Sequence, residues 1–236
     1  MTTFVLVHGS WHGRWCWHRV VPELEALGHR ILAPDLPGHG DDATPLAQCT
    51  LKAYADCIAT VIRKATEPVV LVGHSFAGIV ISQAAEIVPE GISRLVYLTA
   101  FLPANGQSLS RLATADRDNP VATSSIFSAD QQLVSLDLER VRELLYADCA
   151  ESDVTLARER LCAEPVAPLV TPVAITAGRA GSVPRSYIEC LHDIAVPLWF
   201  QRQMQAGMPC DPVHALLTGH SPFFAAPAEL AHLLTL

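Results

Sequence analysis

The chain alternates short apolar, β-branched runs with stretches of helical periodicity. Phe4-Val-Leu-Val7 reads as a buried strand. Residues 14–27 carry Val20, Val21, Leu24 and Leu27 at helical spacing, and Gly28 ends that helix. His29 to Ala33 predicts a second strand, followed by the turn-rich segment Asp35-Leu-Pro-Gly-His-Gly40. Thr50 then caps a helix with one apolar face of Leu51, Tyr54, Ala55, Ile58, Val61, Ile62 and Ala65. A strand over 68–73, a helix over about 76–88 and a strand over 94–99 follow. Further strands are predicted at Tyr187 to Leu191 and Val213 to Thr218, with room for a helix (about 196–206) between them. A last helix over 227–235 carries Leu230, Leu233 and Leu234. This alternation predicts an α/β fold with a mostly parallel sheet and helices on both faces.

The stretch 103–171 breaks the pattern. It contains no convincing strand and reads as helices, for example 138–149 with Leu138, Val141, Leu144 and Leu145, and 153–162. It holds eleven acidic residues against six basic ones, the mark of a solvated face. The expectation is a core formed by 1–102 and 172–236, with 103–171 inserted as a helical cap. No internal repeat or low-complexity tract interrupts this division.

Composition narrows the function classes. The chain has 236 residues, 50% hydrophobic and only 17% charged, which suits one large globular domain. A net charge of -8 without a Lys/Arg cluster argues against nucleic acid and anionic membranes as partners. The seven cysteines are odd in number, scattered and without a C-x-x-C, which predicts free thiols in a reducing compartment. No basic leader with a long apolar run and no spanning segment is visible, so a cytoplasmic location is expected. Oligomeric state is not legible, and a homodimer is left open.

The sharpest motif is Gly73-His74-Ser75-Phe76-Ala77-Gly78, between an apolar strand and a helix. In a nucleophile elbow a serine sits in a strained turn above the sheet, with small residues two places before and after it. Gly73 and Ala77 meet that need, and Gly78 relieves crowding further along. An ordinary glycine-rich turn is the bland alternative. A phosphate loop is the weaker one, since no G-x-x-x-x-G-K-[ST] occurs.

The first strand runs into His8-Gly9-Ser10-Trp11-His12-Gly13. Such a loop supplies half of an oxyanion hole, and the amide after the nucleophile supplies the other half. The candidates are the backbone N–H groups of Ser10 and Phe76. Spacing i, i+4 at His8 and His12 suits zinc only on a helix, and no glutamate lies between them, so no metal is expected.

Among ten histidines, His220 is chosen as general base. It lies just past the last strand, before the final helix, and comes last in chain order. His214, within a strand, and His232, on the last helix, read as structural. Asp193 follows the strand ending at Leu191 and precedes His220, as the orienting acid should. A plain helix cap is the other reading of Asp193. Asp211 precedes a strand instead of following one, and Asp148 and Asp153 fall in the cap. Trp11, Phe76, Phe101, Phe127 and Trp199 are candidate pocket walls, or simply core aromatics.

At this point the chain resembles the branch of α/β hydrolases that holds plant methylesterases, hydroxynitrile lyases and bacterial esterase relatives. The resemblance rests on Phe4 to Gly13, on Gly73 to Gly78, on Gly181 to Cys190 through Asp193, on Gln201 with Met204, and on Gly219-His220 with Pro222. It covers nearly the whole length except the cap. It implies an α/β-hydrolase fold, a Ser75-His220-Asp193 triad, the same two amides and no cofactor. The lyase members tend to carry threonine where this chain has Gly9, and lysine where it has Ser221, so ester hydrolysis is the expected activity. The expected substrates are small, largely apolar esters, including methyl esters. A hydroxynitrile lyase, a lactone- or polyketide-tailoring hydrolase and a non-catalytic binder remain as alternatives.

Overall fold

The computed structural model describes every residue except Arg117. Six strands form the central sheet: β1 (Thr3–Val7), β2 (Arg30–Leu32), β3 (Val69–His74), β4 (Ile92–Leu98), β8 (Arg185–Cys190) and β9 (Val213–Leu216). Their order is β2-β1-β3-β4-β8-β9, and every pairing is parallel. The inner strands are apolar in continuous runs because helices cover both of their faces. Within β1, Val5 and Val7 pack toward α2 (Leu51–Arg63), α3 (Ala77–Ile87) and α9 (Leu198–Gly207). Phe4 and Leu6 point the other way, toward α1 (Val20–Ala26), α10 (Pro222–Ala225) and α11 (Pro227–Thr235).

Local signals explain several element ends. The Thr50 side chain accepts the Ala53 amide at 3.1 Å and starts α2 as predicted. Gly28, at φ +82°, turns the chain out of α1. The helix predicted over 14–27 divides instead into a 3₁₀ turn, Arg14–Trp17, and α1.

The segment between β4 and β8 corrects one expectation. It is not all helical. It contains α4 (Leu109–Ala113), α5 (Pro120–Thr123), α6 (Val141–Leu145), α7 (Glu151–Arg160) and α8 (Val166–Val170). It also contains a three-stranded antiparallel sheet of β5 (Ser125–Phe127), β6 (Leu133–Leu136) and β7 (Glu164–Pro165), in that order. These strands are too short to show a period of two, and one of them contains a proline, so periodicity could not reveal them. The helix predicted over 138–149 shrinks to α6. Among the described residues, no helix is long and apolar enough to cross a membrane.

In an all-parallel sheet the carboxyl ends of the strands share one edge. The loops after β1, β3, β4, β8 and β9 therefore converge there, and they carry Ser10, Ser75, Thr99, Asp193 and His220.

Candidate active site

Ser75 occupies the turn from β3 into α3 with φ +55°, a left-handed conformation that costs energy for any residue with a Cβ. The turn is tight because strand and helix nearly touch. A Cβ on Gly73 would come within 2.9 Å of the Ala77 carbonyl oxygen, and a Cβ on Gly78 would overlap the Phe101 carbonyl oxygen. The second obligatory glycine is thus at 78, where the chain after β4 passes, and the methyl of Ala77 is accommodated.

The structure brings together the three side chains singled out from the sequence. His220 Nε2 lies 3.1 Å from Ser75 Oγ, although 145 residues separate them. On its far side, His220 Nδ1 donates to Asp193 Oδ2 at 2.7 Å. That bond fixes the Nδ1–H tautomer and leaves Nε2 as an acceptor for the serine hydroxyl. Asp193 is itself held from all sides. Oδ1 accepts the amides of Ala195 at 2.7 Å and Val196 at 3.0 Å, while Oδ2 also accepts the Thr99 hydroxyl. Asp193 therefore caps a turn and faces the imidazole at once, while the helix that follows is capped at Pro197.

Several further groups support the site in ways that the sequence motifs do not spell out. His74 Nε2 donates to the His220 carbonyl at 2.8 Å, and the two rings pack 4.6 Å apart. Burial pushes the His74 pKa well below the ordinary histidine value, so this ring is neutral. Gln201, fully buried on α9, accepts the Cys190 amide at 3.1 Å and donates to the carbonyls of Cys190 (2.9 Å) and Val196 (2.8 Å). It thereby ties down both ends of the Asp193 loop. Asp148 accepts the Gly219 amide at 2.6 Å and steadies the His220 loop from the segment between β4 and β8.

The rival candidates lie elsewhere. Asp211 precedes β9 and is exposed, and Asp153 is paired with Arg19 at 2.8 Å. His214 is within β9, and His232 is on α11. His8 accepts the Leu36 amide at 3.1 Å and donates to the Gly9 carbonyl at 2.9 Å. His12 donates to the Ser10 carbonyl at 2.7 Å and accepts the Tyr146 hydroxyl at 2.6 Å. Both rings are thus occupied by protein partners. Burial pushes the His8 pKa well down and that of His12 to about 4.

Ser75 and His220 open onto a cavity of about 240 Å³ that Ser10 and Trp11 also line. Among the described residues, no hydrogen bond within the protein is found from the Ser10 or Phe76 amide. The cavity walls are mostly apolar: Phe101, Leu145, Val134, Val166, Leu169 and Phe200. Of the predicted wall residues, Trp11, Phe101 and Phe127 line the cavity, Phe127 from a largely exposed position. Trp199 does not. It is 51% exposed, and its neighbour Phe200 faces the cavity instead, because one residue along a helix turns the side chain by about 100°. The Phe76 ring is core, packed against Tyr54.

Comparison with known proteins identifies the family. The model of the alpha/beta hydrolase family matches residues 4–233. The chain is 34% identical over 240 residues to a pyrethroid hydrolase of Sphingobium wenxiniae, covering 98% of this chain and 85% of that protein. It is 33% identical over 243 residues to putative methylesterase 11, chloroplastic, of Arabidopsis thaliana, covering 98% of this chain but 62% of that longer protein. Among solved structures, polyneuridine aldehyde esterase superposes with a TM-score of 0.90 at 26% identity, covering 100% of this chain and 98% of that one. A pyrethroid hydrolase from Sphingobium faniae JZ-2 superposes with a TM-score of 0.88 at 32% identity, covering 99% and 96%. The chain belongs to the alpha/beta hydrolase family.

Proposed function

We propose that the protein is a carboxylesterase-type serine hydrolase acting on small, largely apolar esters, methyl esters included. The observation that carries this reading is the 3.1 Å approach of Ser75 Oγ to an imidazole whose other nitrogen is bonded to Asp193, at the wall of an apolar cavity. Relatives named methylesterase and pyrethroid hydrolase support an ester substrate. The reading takes 103–171 as a cap over a core of 1–102 and 172–236.

In the first step Ser75 Oγ attacks the ester carbonyl while His220 Nε2 takes the hydroxyl proton. Asp193 stabilises the imidazolium that forms. The amides of Ser10 and Phe76 donate to the tetrahedral oxyanion, each worth about 3 kcal/mol of barrier. Collapse expels the alkoxide, which His220 protonates, and leaves an acyl-Ser75. Water then attacks the acyl carbon with His220 again as base, releasing the acid and restoring the serine.

The lyase reading is disfavoured at two places. A Cβ at Gly9 would approach His74 Nδ1 and Ser75 Cβ to 3.0 Å, so a threonine there needs its neighbours to shift. Ser221, fully buried, offers a hydroxyl where the lyases carry lysine. The deciding experiment is turnover of p-nitrophenyl and methyl esters beside mandelonitrile, with Ser75→Ala as control. Ester turnover lost in Ser75→Ala, with no cyanide released, is the expected result. Full esterase activity in Ser75→Ala overturns the assignment.

A further inference from the structure

The loop that carries Ser10 turns at Trp11, which holds φ +65°. For a bulky side chain this is a strained conformation that its surroundings must enforce. The His12 amide closes the turn on the Gly9 carbonyl at 3.4 Å, and the hydrogen bonds of Trp11's own atoms come from the inserted segment. The Trp11 amide donates to Glu164 Oε2 at 3.0 Å, and its indole N–H donates to the Val134 carbonyl at 2.9 Å. Its carbonyl accepts the Cys162 amide at 2.9 Å.

Glu164 is an unusual anchor. It is wholly buried, and its Oε1 has no hydrogen-bond partner among the described residues. Its Oε2 is shared between the Trp11 amide and His39 Nε2, the latter at 3.0 Å. His39 is buried too, and its Nδ1 faces the Pro37 carbonyl at 3.2 Å. Both ring nitrogens thus meet acceptors, which calls for the imidazolium. Burial opposes that charge, but the Glu164 carboxylate and the hydrogen bonds outweigh it and hold the His39 pKa above its ordinary value. A buried ion pair with one bare oxygen is a poor device for stability, because desolvation consumes most of its Coulombic gain. Its place beside the oxyanion loop gives it another use.

We propose that Glu164, with His39 as counter-ion, is a positioning residue: it fixes the Trp11 amide in its strained turn and thereby aims the adjacent Ser10 amide at the oxyanion. The inference rests on the acyl-transfer reading of Ser75. It makes the oxyanion hole a joint product of the core and the inserted segment. Glu164 touches no reacting atom. Its loss shows in the transition state and not in ground-state binding.

The test is Glu164→Gln, which keeps shape and removes charge, beside Glu164→Ala. The readouts are kcat, KM, thermal midpoint and inhibition by a trifluoromethyl ketone, whose hemiketal oxygen needs the same amides. In the folded variants kcat should fall on the order of 10- to 100-fold, since small misplacements cost that much. Trifluoromethyl ketone inhibition should weaken by the same factor, with KM within about 3-fold. If Ala prevents folding, the near-isosteric Gln carries the test. An active wild type with a folded Glu164→Gln of unchanged kcat and inhibition overturns this inference alone. Parallel loss of ground-state binding overturns it too, as the mark of a collapsed cap. A wild type without ester turnover overturns it together with the acyl-transfer reading.

Discussion

Thr99 and His220 donate to the same oxygen of Asp193, one from the end of β4 and the other from the loop after β9. Thr99 holds φ +37°, an uncommon backbone for a β-branched residue, and its amide bonds to the Ile188 carbonyl at 2.9 Å. The strained backbone turns the hydroxyl toward the carboxylate. Thr99→Val keeps the branching and the backbone bond but removes the donor. It should lower kcat on the order of 10-fold and leave KM nearly unchanged. Steady-state kinetics from pH 5 to 9 check this.

The shifted glycine of the elbow gives a second expectation. Ala77→Gly should cost no more than about 1 kcal/mol, the ordinary price of glycine in a helix. Gly78→Ala places a methyl on the rigid Phe101 carbonyl and should cost at least about 3 kcal/mol or abolish soluble protein. Urea denaturation of both variants separates the two positions.

The exchange of Trp199 for Phe200 as a cavity wall is testable in the same way. Trp199→Ala should change stability by less than about 0.5 kcal/mol and leave substrate preference alone. Phe200→Ala should cost about 3 kcal/mol or more and enlarge the cavity. Its ratio of long-acyl to short-acyl kcat/KM should rise. A p-nitrophenyl ester series from acetate to octanoate reads that ratio.

Acid should destabilise the fold through three buried neutral histidines. Desolvation depresses the pKa values of His8, His12 and His74, with His12 at about 4. A depressed group contributes fully above its unfolded value of 6.5, and that contribution is lost as pH falls toward the folded value. His39, which faces Glu164, Asp35, Asp42, His8 and Tyr54, has the opposite sign. Its contribution is complete below 6.5 and is lost as pH rises through the raised value. Between about pH 6.5 and 4, where His39 no longer changes, the three depressed groups make the net trend a loss. The urea midpoint should fall over that range, and His12→Gln should flatten the slope.

What the sequence could reveal depended on how local the constraint was. Ser75 is legible because its strained turn imposes small residues within six contiguous positions. His220 and Asp193 are legible from chain order and from the strands they follow. Glu164 is not, because one acid among eleven in an acidic stretch looks solvated, and its partner His39 lies 125 residues away. Trp199 lies off the cavity for a different reason. The phase of α9 is set by Gln201, whose amide is buried against Cys190 and Val196, so hydrophobicity alone points to the wrong face.

The three bonds from the inserted segment to Trp11 bear on how such enzymes can be re-engineered. A foreign segment grafted between β4 and β8 to change substrate range would also remove these three bonds, and with them the proposed clasp on the loop of Ser10 and Trp11. A working chimera must carry an acid, a carbonyl and an amide to the same three points, or turn over slowly whatever it admits.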